Sequence, residues 1–376
     1  MVEARGDGLR CPDAPRKPTP LQRPHVLMYS PPTPTEAQRS AIELLASSKR
    51  ILLTGHERPD GDCVGSQAAL ARTIASLGGS AFVLNVDAPA RSYGELLGFA
   101  DFLVDDGSSL PDHDLIVMLD GGDLSRTGQL HDRLSASDAK KVVVDHHLHD
   151  GDAWWDAAFV DTAASATGVL VRRIAGHLGA TLDASSARAI FTTLVTDTGW
   201  FKYSNTDEET LSLAAEMIGL GVRPAEIFGD LFQRQPMDQP LKLSGVLART
   251  TYYADGQLAV LDLPLGRDGR PMDADSDAAL DIVRSVEAVE VALILREVGA
   301  SQCKLSARSK GAFDVQQLAA SFGGGGHAKA AGATLDLSLS DARLQLVEAA
   351  LVRLAQTSER RQSPRTAADA ARQHRS

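Results

Sequence analysis

Short apolar segments rich in β-branched residues alternate with helical patterns as far as Leu220. Four segments have the length and composition of buried strands: Ile51–Thr54, Ala81–Val86, Leu115–Leu119 and Lys141–Val144. Helical patterns lie between and around them, at Thr35–Ser48, Asp62–Leu77, Thr167–Leu178, Ala184–Leu194 and Asp207–Leu220. Parallel strands that helices cover on both faces read as continuous apolar runs. The sequence therefore predicts an α/β fold in which helices wind doubly around a parallel sheet.

A second, smaller α+β domain follows this unit. Pro224–Arg249 is mainly helical, and Asp255-Gly256 between two short apolar segments, Thr250–Tyr253 and Leu258–Leu263, is a strong hairpin signal. Further helices are predicted at 276–287, 314–321 and 340–356, and strands at 289–297 and 302–308. We therefore predict a flexible N-terminal extension over 1–34, the doubly wound domain over 35–232, a helical linker over 233–250, the second domain over 251–357 and a disordered tail over 358–376.

The charge balance limits the kind of ligand. The chain of 376 residues has a net charge of −11, which disfavours sequence-independent binding to long nucleic acid, because such binding needs many cationic contacts to phosphates. An acidic protein can still bind a short phosphorylated ligand where metal ions reverse the field in one cleft. The three cysteines lack CxxC spacing, and no apolar run approaches the roughly 20 residues of a membrane span. We expect a cytoplasmic protein with no membrane partner.

Four segments that combine acidic residues and histidine end a predicted strand or lie beside one. They are Gly55-His56-Glu57-Arg58-Pro59-Asp60-Gly61-Asp62, Leu119-Asp120-Gly121-Gly122-Asp123, Val144-Asp145-His146-His147 and Val195-Thr196-Asp197-Thr198-Gly199. Each segment alone is weak evidence, because an Asp after a strand is more often the N-cap of the next helix. Parallel sheets bind ligands beyond the carboxyl ends of their strands, so four such segments in order predict a metal site. Carboxylate and imidazole ligands suit Mn²⁺ or Mg²⁺, and the histidines favour Mn²⁺.

The order and spacing of these segments resemble the metal motifs of the DHH/DHHA1 phosphoesterases, with Asp145-His146-His147 as the triplet that names the family. Gly323-Gly324-Gly325-Gly326-His327, with Ala330-Ala331-Gly332 behind it, is similar to the signature of the DHHA1 domain. The resemblance extends from about Ala37 to Leu354. It is strongest to the bacterial branch of oligoribonucleases and 3′-phosphoadenosine-5′-phosphate (pAp) phosphatases.

This resemblance implies a centre of two divalent ions, with Mn²⁺ preferred over Mg²⁺. One ion would be held by His56, Asp60 and Asp120, and the second by Asp62, Asp120, His146 and Asp197, so that Asp120 bridges the two. Two ions about 3.5–4 Å apart can activate a water and neutralise phosphoryl oxygens together. With Asp120 and His146, the catalytic candidates are Asp145, which would orient its neighbours, and His147, which would contact the phosphate.

Candidate substrate-binding residues lie in both predicted domains. Arg126 follows the bridging aspartate, and its guanidinium suits a phosphate, although a solvated loop arginine is an equally good interpretation. In the second domain the candidates are Ser306, Arg308, Gly323, Gly324, Gly325, Gly326 and His327. A four-glycine run alone is more often a flexible loop, but successive N–H groups without Cβ atoms can also form an anion nest. Because this run lies beside a strand that carries Ser306 and Arg308, and because it matches the family signature, we expect it to be a substrate-binding loop.

The activity expected from the resemblance is hydrolysis of very short RNA, which releases 5′-mononucleotides, or of pAp, which gives AMP. One alternative keeps the same centre and changes the substrate to a linear or cyclic dinucleotide such as pApA or cyclic di-AMP. Another is a nucleotide-binding regulator without catalysis. The resemblance also implies a homodimer. The sequence does not choose among the substrates.

Overall fold

A computed structural model describes residues 29–149, 152–272 and 275–362. Residues 1–28 of the predicted extension and 363–376 of the predicted tail lie outside the described residues. The chain forms two compact units that divide between Arg234 and Gln235.

The first unit contains a six-stranded sheet in which every neighbouring pair of strands is parallel. Its strands are β1 (Arg50–Thr54), β2 (Ser80–Asn85), β3 (Asp101–Val104), β4 (Leu115–Leu119), β5 (Lys140–Asp145) and β6 (Ala157–Val160), in the order β3-β2-β1-β4-β5-β6. The sequence predicts the four inner strands. It misses β3 and β6, which are four-residue edge strands and are not fully buried.

Helices cover both faces of this sheet. They are α1 (Glu36–Ser47), α2 (Gly61–Ser76), α3 (His131–Ser135), α4 (Thr167–His177), α5 (Ala184–Asp197), α6 (Glu208–Gly219) and α7 (Pro224–Phe232). Along β1, Ile51 and Leu53 belong to one apolar cluster and Leu52 to the other, because successive side chains point to opposite faces of a strand. The α/β fold and the doubly wound arrangement are therefore confirmed.

The second unit contains a mixed six-stranded sheet. In chain order it comprises α8 (Gln239–Leu247), β7 (Thr250–Tyr253), β8 (Leu258–Leu263), α9 (Ser276–Arg284), β9 (Val291–Gly299), β10 (Gln302–Ser309), α10 (Val315–Ala320), β11 (Gly325–His327), β12 (Ala330–Leu335) and α11 (Leu339–Gln362). The strand order is β11-β12-β10-β9-β8-β7, in which only β8 and β9 pair in parallel. This is the predicted α+β unit, with the hairpin between β7 and β8.

Two elements of this unit differ from the sequence-based expectation. The glycine run is not simply a loop, because Gly325–His327 forms the edge strand β11 and pairs with β12. Strands of Gly and Ala carry no apolar alternation and therefore escape pattern-based prediction. Helix α11 runs to Gln362, past the Ser358 where the disordered tail was expected to begin. Within the described ranges, no helix is long and apolar enough to cross a bilayer.

Candidate metal centre

Three of the four acidic segments follow neighbouring strands of the first sheet. His56 comes two residues after β1, Asp120 directly after β4, and His146 and His147 directly after β5. Since β1, β4 and β5 are adjacent and parallel, their carboxyl ends bring these side chains to one edge.

The remaining candidate ligands come from the ends of two helices, α2 and α5. Asp60 is the N-cap of α2, where its side chain accepts the N–H groups of Asp62 and Cys63. Asp197 is the last residue of α5. The helix predicted over Ala184–Leu194 thus extends three residues further, and its C-terminal end delivers the fourth segment to the site.

The Asp120 carboxylate lies between two histidines. Its Oδ2 is 3.7 Å from Nε2 of His56, and its Oδ1 is 3.7 Å from Nε2 of His146. The residue adopts a left-handed backbone conformation with φ +57°, which Asp tolerates better than most residues. Its N–H donates to the carbonyl of Val144 at 3.1 Å, which ties the end of β4 to β5. The tight turn thus directs one carboxylate toward both histidines.

His56 and His146 each direct Nε2 toward the cluster. Nδ1 of His56 is 2.7 Å from the carbonyl oxygen of Glu57, and Nδ1 of His146 is 3.1 Å from that of Ala164. A carbonyl oxygen only accepts, so each Nδ1 is the donor, and in the neutral imidazole the Nε2 lone pair is then available to a metal.

Two groups of possible ligands result. In the first, Nε2 of His56 is 3.9 Å from Oδ1 of Asp60 and 3.7 Å from Asp120. In the second, Nε2 of His146 is 3.7 Å from one oxygen each of Asp62, Asp120 and Asp197. These separations are too long for hydrogen bonds. Ligands about 2.1 Å from a common ion lie up to about 4.2 Å apart, so both groups fit a divalent metal.

An unsatisfied polar atom supports this interpretation of the second group. Within the described residues, Nε2 of His146 is buried and has no hydrogen-bond partner. A buried nitrogen without a partner is destabilising unless something else occupies its lone pair. A cation between His146 and its three carboxylates would supply that partner.

The carboxylates of the cluster are electrostatically strained without a cation. Burial raises the pKa of Asp62 and Asp197 above its usual value, and neighbouring carboxylates raise it further. The same two causes raise the pKa of Asp120 well above its usual range. Two hydrogen bonds partly offset the increase in the pKa of Asp62. Its carboxylate accepts the N–H groups of Thr167 and Gly168, at 2.7 and 3.1 Å, at the N-terminus of α4. The helix dipole favours negative charge there.

Asp145 and His147 form a pair beside this cluster. Oδ1 of the fully buried Asp145 accepts from the N–H of His146 at 2.8 Å, and from the N–H and Nδ1 of His147 at 3.2 and 2.8 Å. Burial lowers the pKa of His147, but the hydrogen bond to Asp145 and the negative charges of Asp145 and Asp197 together outweigh burial, so the pKa is raised. Three donors already occupy this carboxylate oxygen, so it orients its neighbours better than it would ligate a metal.

The cluster also contains residues that the sequence analysis did not single out. The hydroxyl of Thr167 donates to Oδ1 of Asp120 at 3.2 Å, and the Asn205 amide donates to the carbonyl oxygens of Ser165 and Asp197 at 3.1 and 3.2 Å. No pattern marks either residue, because both contacts depend on helix packing.

Arg126 lies beside the first group, but its side chain is partly engaged. Its Nη1 donates to the carbonyl of Gly121 at 3.3 Å, and its own carbonyl accepts the N–H of Glu57 at 2.7 Å. The loop contact therefore holds Arg126 near His56. Burial lowers the pKa of His56, and the positive charge of Arg126 lowers it further. Asp123, which the same loop carries, caps the following turn by accepting the N–H of Ser125.

The candidates of the second unit lie on β10 and β11, which flank β12, and in the two residues that precede β11. Ser306 pairs with Gly332, which pairs with Gly325, while Arg308 pairs with Ala330, which pairs with His327. The Arg308 guanidinium is not free, because it lies 2.7 Å from a carboxylate oxygen of Asp277 on α9.

The four glycines of the run have different roles. A Cβ at Gly324 would lie 2.1 Å from the carbonyl oxygen of Gly332, and one at Gly326 would lie 2.5 Å from that of Ala330. These two glycines are required by close packing of the sheet. A Cβ at Gly323 or Gly325 would meet nothing within 4 Å. Only Gly325 combines this open surface with an ordinary strand conformation, since Gly323 has φ +73°.

Comparison with known proteins agrees with this architecture. Residues 50–213 match the DHH family, N-terminal domain, and residues 256–353 match the DHHA1 domain. The bifunctional oligoribonuclease and PAP phosphatase of Thermus thermophilus is 32% identical over 316 residues, which cover 84% of this chain and 93% of that protein. Its Bacillus subtilis counterpart is 26% identical over 299 residues, 78% of this chain and 92% of that protein.

A solved structure has the same fold over most of the chain. The exopolyphosphatase-related protein from Bacteroides fragilis is 26% identical, with a TM-score of 0.76, and the match covers 84% of this chain and 95% of that one. The chain belongs to the DHH family. It is a metal-dependent phosphoesterase, and the acid–histidine cluster is its candidate metal site.

The raised pKa values of Asp62 and Asp197 predict how the metal-free protein responds to pH. Both carboxyls hold protons in the folded state at pH values where the unfolded chain has released them. Their contribution to stability is therefore complete below about pH 4 and is lost as pH rises through the raised pKa values. We expect the Tm of the metal-free wild type to fall more steeply with pH than that of Asp197→Asn, as measured by scanning fluorimetry in EDTA.

Added Mn²⁺ should reverse this trend. Metal ligands must be deprotonated, so the increase in Tm on adding Mn²⁺ should be larger at neutral than at acidic pH. Equal pH slopes for wild type and Asp197→Asn would contradict the proposed origin of the effect.

Proposed function

We propose that this protein uses two divalent ions, preferably Mn²⁺, to hydrolyse very short oligoribonucleotides to 5′-mononucleotides and pAp to AMP. The observation that carries the proposal is the placement of Asp120, whose two carboxylate oxygens face two separate groups of ligands. This chain matches more than nine tenths of the length of the Thermus and Bacillus relatives, both of which are bifunctional oligoribonucleases and PAP phosphatases. Their activities support the choice of substrate.

Each ion has its own set of residues in this proposal. His56 and Asp60 would hold one ion, Asp62, His146 and Asp197 would hold the other, and Asp120 would contribute a carboxylate oxygen to each. When bound, the ions activate a water and neutralise the charge on the phosphoryl oxygens. The histidines favour Mn²⁺ over the harder Mg²⁺.

Residues around the ions bind and orient the phosphate. His147 is aligned by Asp145, and its raised pKa keeps it able to donate a proton to a phosphate oxygen. Arg126 contributes a second cation from the loop after β4. Thr167 restrains the bridging carboxylate through its hydroxyl.

The second unit binds nucleotide through β10 and the edge strand β11. Ser306 and Arg308 alternate with the buried Cys303, Leu305 and Ala307 on β10, so their side chains lie on the face opposite this core. A phosphate that binds Arg308 replaces the Asp277 carboxylate. Gly325 pairs with Gly332, which pairs with Ser306. Because Gly325 has no side chain, it leaves the adjacent backbone accessible.

The net charge of −11 favours short substrates. Each additional phosphate of a longer strand would meet an acidic surface instead of the cations that neutralise nucleic acid. Productive binding therefore depends on local cations and the metal ions, which only a few phosphates can contact.

Product analysis over a length series tests this function. With Mn²⁺ present, we expect turnover of di- to pentaribonucleotides to 5′-mononucleotides and of pAp to AMP, falling steeply for longer RNA. Asp120→Asn, which keeps the side-chain shape and tolerates the left-handed conformation, should lower kcat/KM about 1,000-fold, because it removes metal stabilisation worth several kcal/mol.

Asp123→Asn is the matched control, since this acid lies on the same loop and caps a turn. It should keep near wild-type turnover. Hydrolysis confined to cyclic di-AMP or pApA would replace the substrate assignment. Tight nucleotide binding in calorimetry without any product would favour a regulator, and full activity in Asp120→Asn would refute the metal bridge.

The glycine run offers a test of the nucleotide-binding face. Gly325→Val places a side chain on an open strand surface, so we expect a rise in KM of at least about 10-fold, or about 1.4 kcal/mol of binding, with little change in kcat or Tm. Gly245→Ala, on α8 with equally open surroundings, should leave KM unchanged. An unaltered KM in Gly325→Val would remove β11 from the binding site.

A further inference from the structure

Asp145 has one oxygen with three donors and one with none. Its Oδ1 accepts from His146 and His147, whereas its Oδ2 is buried and has no hydrogen-bond partner in the described part of the chain. His149 lies on the loop that follows, and its Nε2 is likewise buried without a hydrogen-bond partner there. These two unsatisfied atoms are 3.4 Å apart.

The short approach between Asp145 and His149 requires a glycine at position 122. A Cβ there would lie 2.3 Å from Cε1 of His149 and 2.7 Å from Oδ2 of Asp145. Gly122 also has φ +62°, so both its conformation and its missing side chain make room for the imidazole. The loop after β4 is thus shaped to admit His149 beside Asp145.

Two tryptophans fix the other side of this arrangement. The indole N–H of Trp154 donates to the carbonyl of Gly122 at 2.8 Å. Trp155 packs edge-to-face against the His149 ring, with centroids 5.2 Å apart, and against Trp154, with centroids 5.5 Å apart. Such edge-to-face contacts restrict the ring's orientation. His149 is therefore held by packing from the segment that leads into β6.

We propose that His149 is a positioning residue, which donates its Nε2 proton to Oδ2 of Asp145 and so holds this carboxylate from the side opposite His147. A charge-assisted hydrogen bond is about 2.7–2.9 Å long, so a small rotation of the ring completes it. The activity part of this inference rests on the proposed role of His147 at the substrate phosphate. The hydrogen bond itself does not.

The Asp145 carboxylate needs support from both sides because its terminal torsion is weakly restricted. If His149 is lost, Oδ2 stays buried without a donor, and the carboxylate can rotate away from Nδ1 of His147. The imidazole then samples orientations that do not face the phosphate. His149 belongs to neither of the two ligand groups, so the loss of its imidazole leaves their ligands in place.

Three variants separate positioning from packing. His149→Phe keeps a ring against Trp155 and removes the donor, and we expect kcat to fall about 10–100-fold, as for other residues that orient a ligand's partner. His149→Gln retains an N–H donor and should recover part of that loss. Leu148→Ala, at the neighbouring residue with 80% exposure, is the matched control and should match the wild type.

A double-mutant cycle shows whether His149 acts through Asp145. In an Asp145→Asn background, His149→Phe should cost little further activity, because the two changes interrupt the same chain of contacts. Mn²⁺ binding by calorimetry should stay within about twofold of wild type in His149→Phe. Additive losses in the cycle, a His149→Gln variant as slow as His149→Phe, or a parallel loss of Mn²⁺ affinity would each overturn the proposal.

An NMR readout is independent of any substrate. In protein labelled with ¹⁵N-histidine, the Nδ1 proton of His147 should give a downfield, slowly exchanging signal in wild type and Leu148→Ala. It should broaden or vanish in His149→Phe. A signal that persists unchanged would overturn the positioning role even if the enzyme's substrate proved to be different, and its loss would support that role even if the tested RNAs were not cleaved.

Discussion

Repulsion among buried carboxylates is the constraint on which the metal centre depends. Asp62 and Asp120 are almost completely buried, and Asp197 lies within 3.7 Å of the same imidazole nitrogen. Burial and mutual charge raise the pKa of all three. Such a cluster is stable in its ionised form only when cations offset the repulsion. The affinity for divalent metal thus comes partly from strain that the fold imposes on its own acids.

The fold maintains this strained arrangement by distributing its ligands over independent elements. Strand ends supply His56, Asp120 and His146, and helix termini supply the remaining carboxylates. The N-terminus of α4 stabilises Asp62 through two backbone N–H groups. Ala166, the N-cap of α4, has no side chain that could accept these N–H groups, and the Asp62 carboxylate accepts them instead. The start of α2 holds two of the carboxylates, Asp60 and Asp62, and separate elements supply the others. The rigid sheet and the packed helices together fix the separations.

Sequence pattern was sufficient for the parts of this structure that buried apolar strands define. The inner strands and the acids beyond them could be predicted, since the carboxyl ends of parallel strands must meet at one edge. The contact of the Thr167 hydroxyl with Asp120 and the contact between His149 and Asp145 could not be predicted, because each depends on how distant elements pack. The division of the glycine run into packing glycines and the open Gly325 needed the register of β11 and β12.

Anomalous diffraction at the manganese edge, from crystals grown with Mn²⁺, tests the central claim most directly. If Asp120 bridges two ions, the maps should show two peaks about 3.5–4 Å apart, one beside Nε2 of His56 and one beside Nε2 of His146, with Asp120 between them. A single peak, or two peaks of which either lies away from the Asp120 carboxylate, would contradict the account.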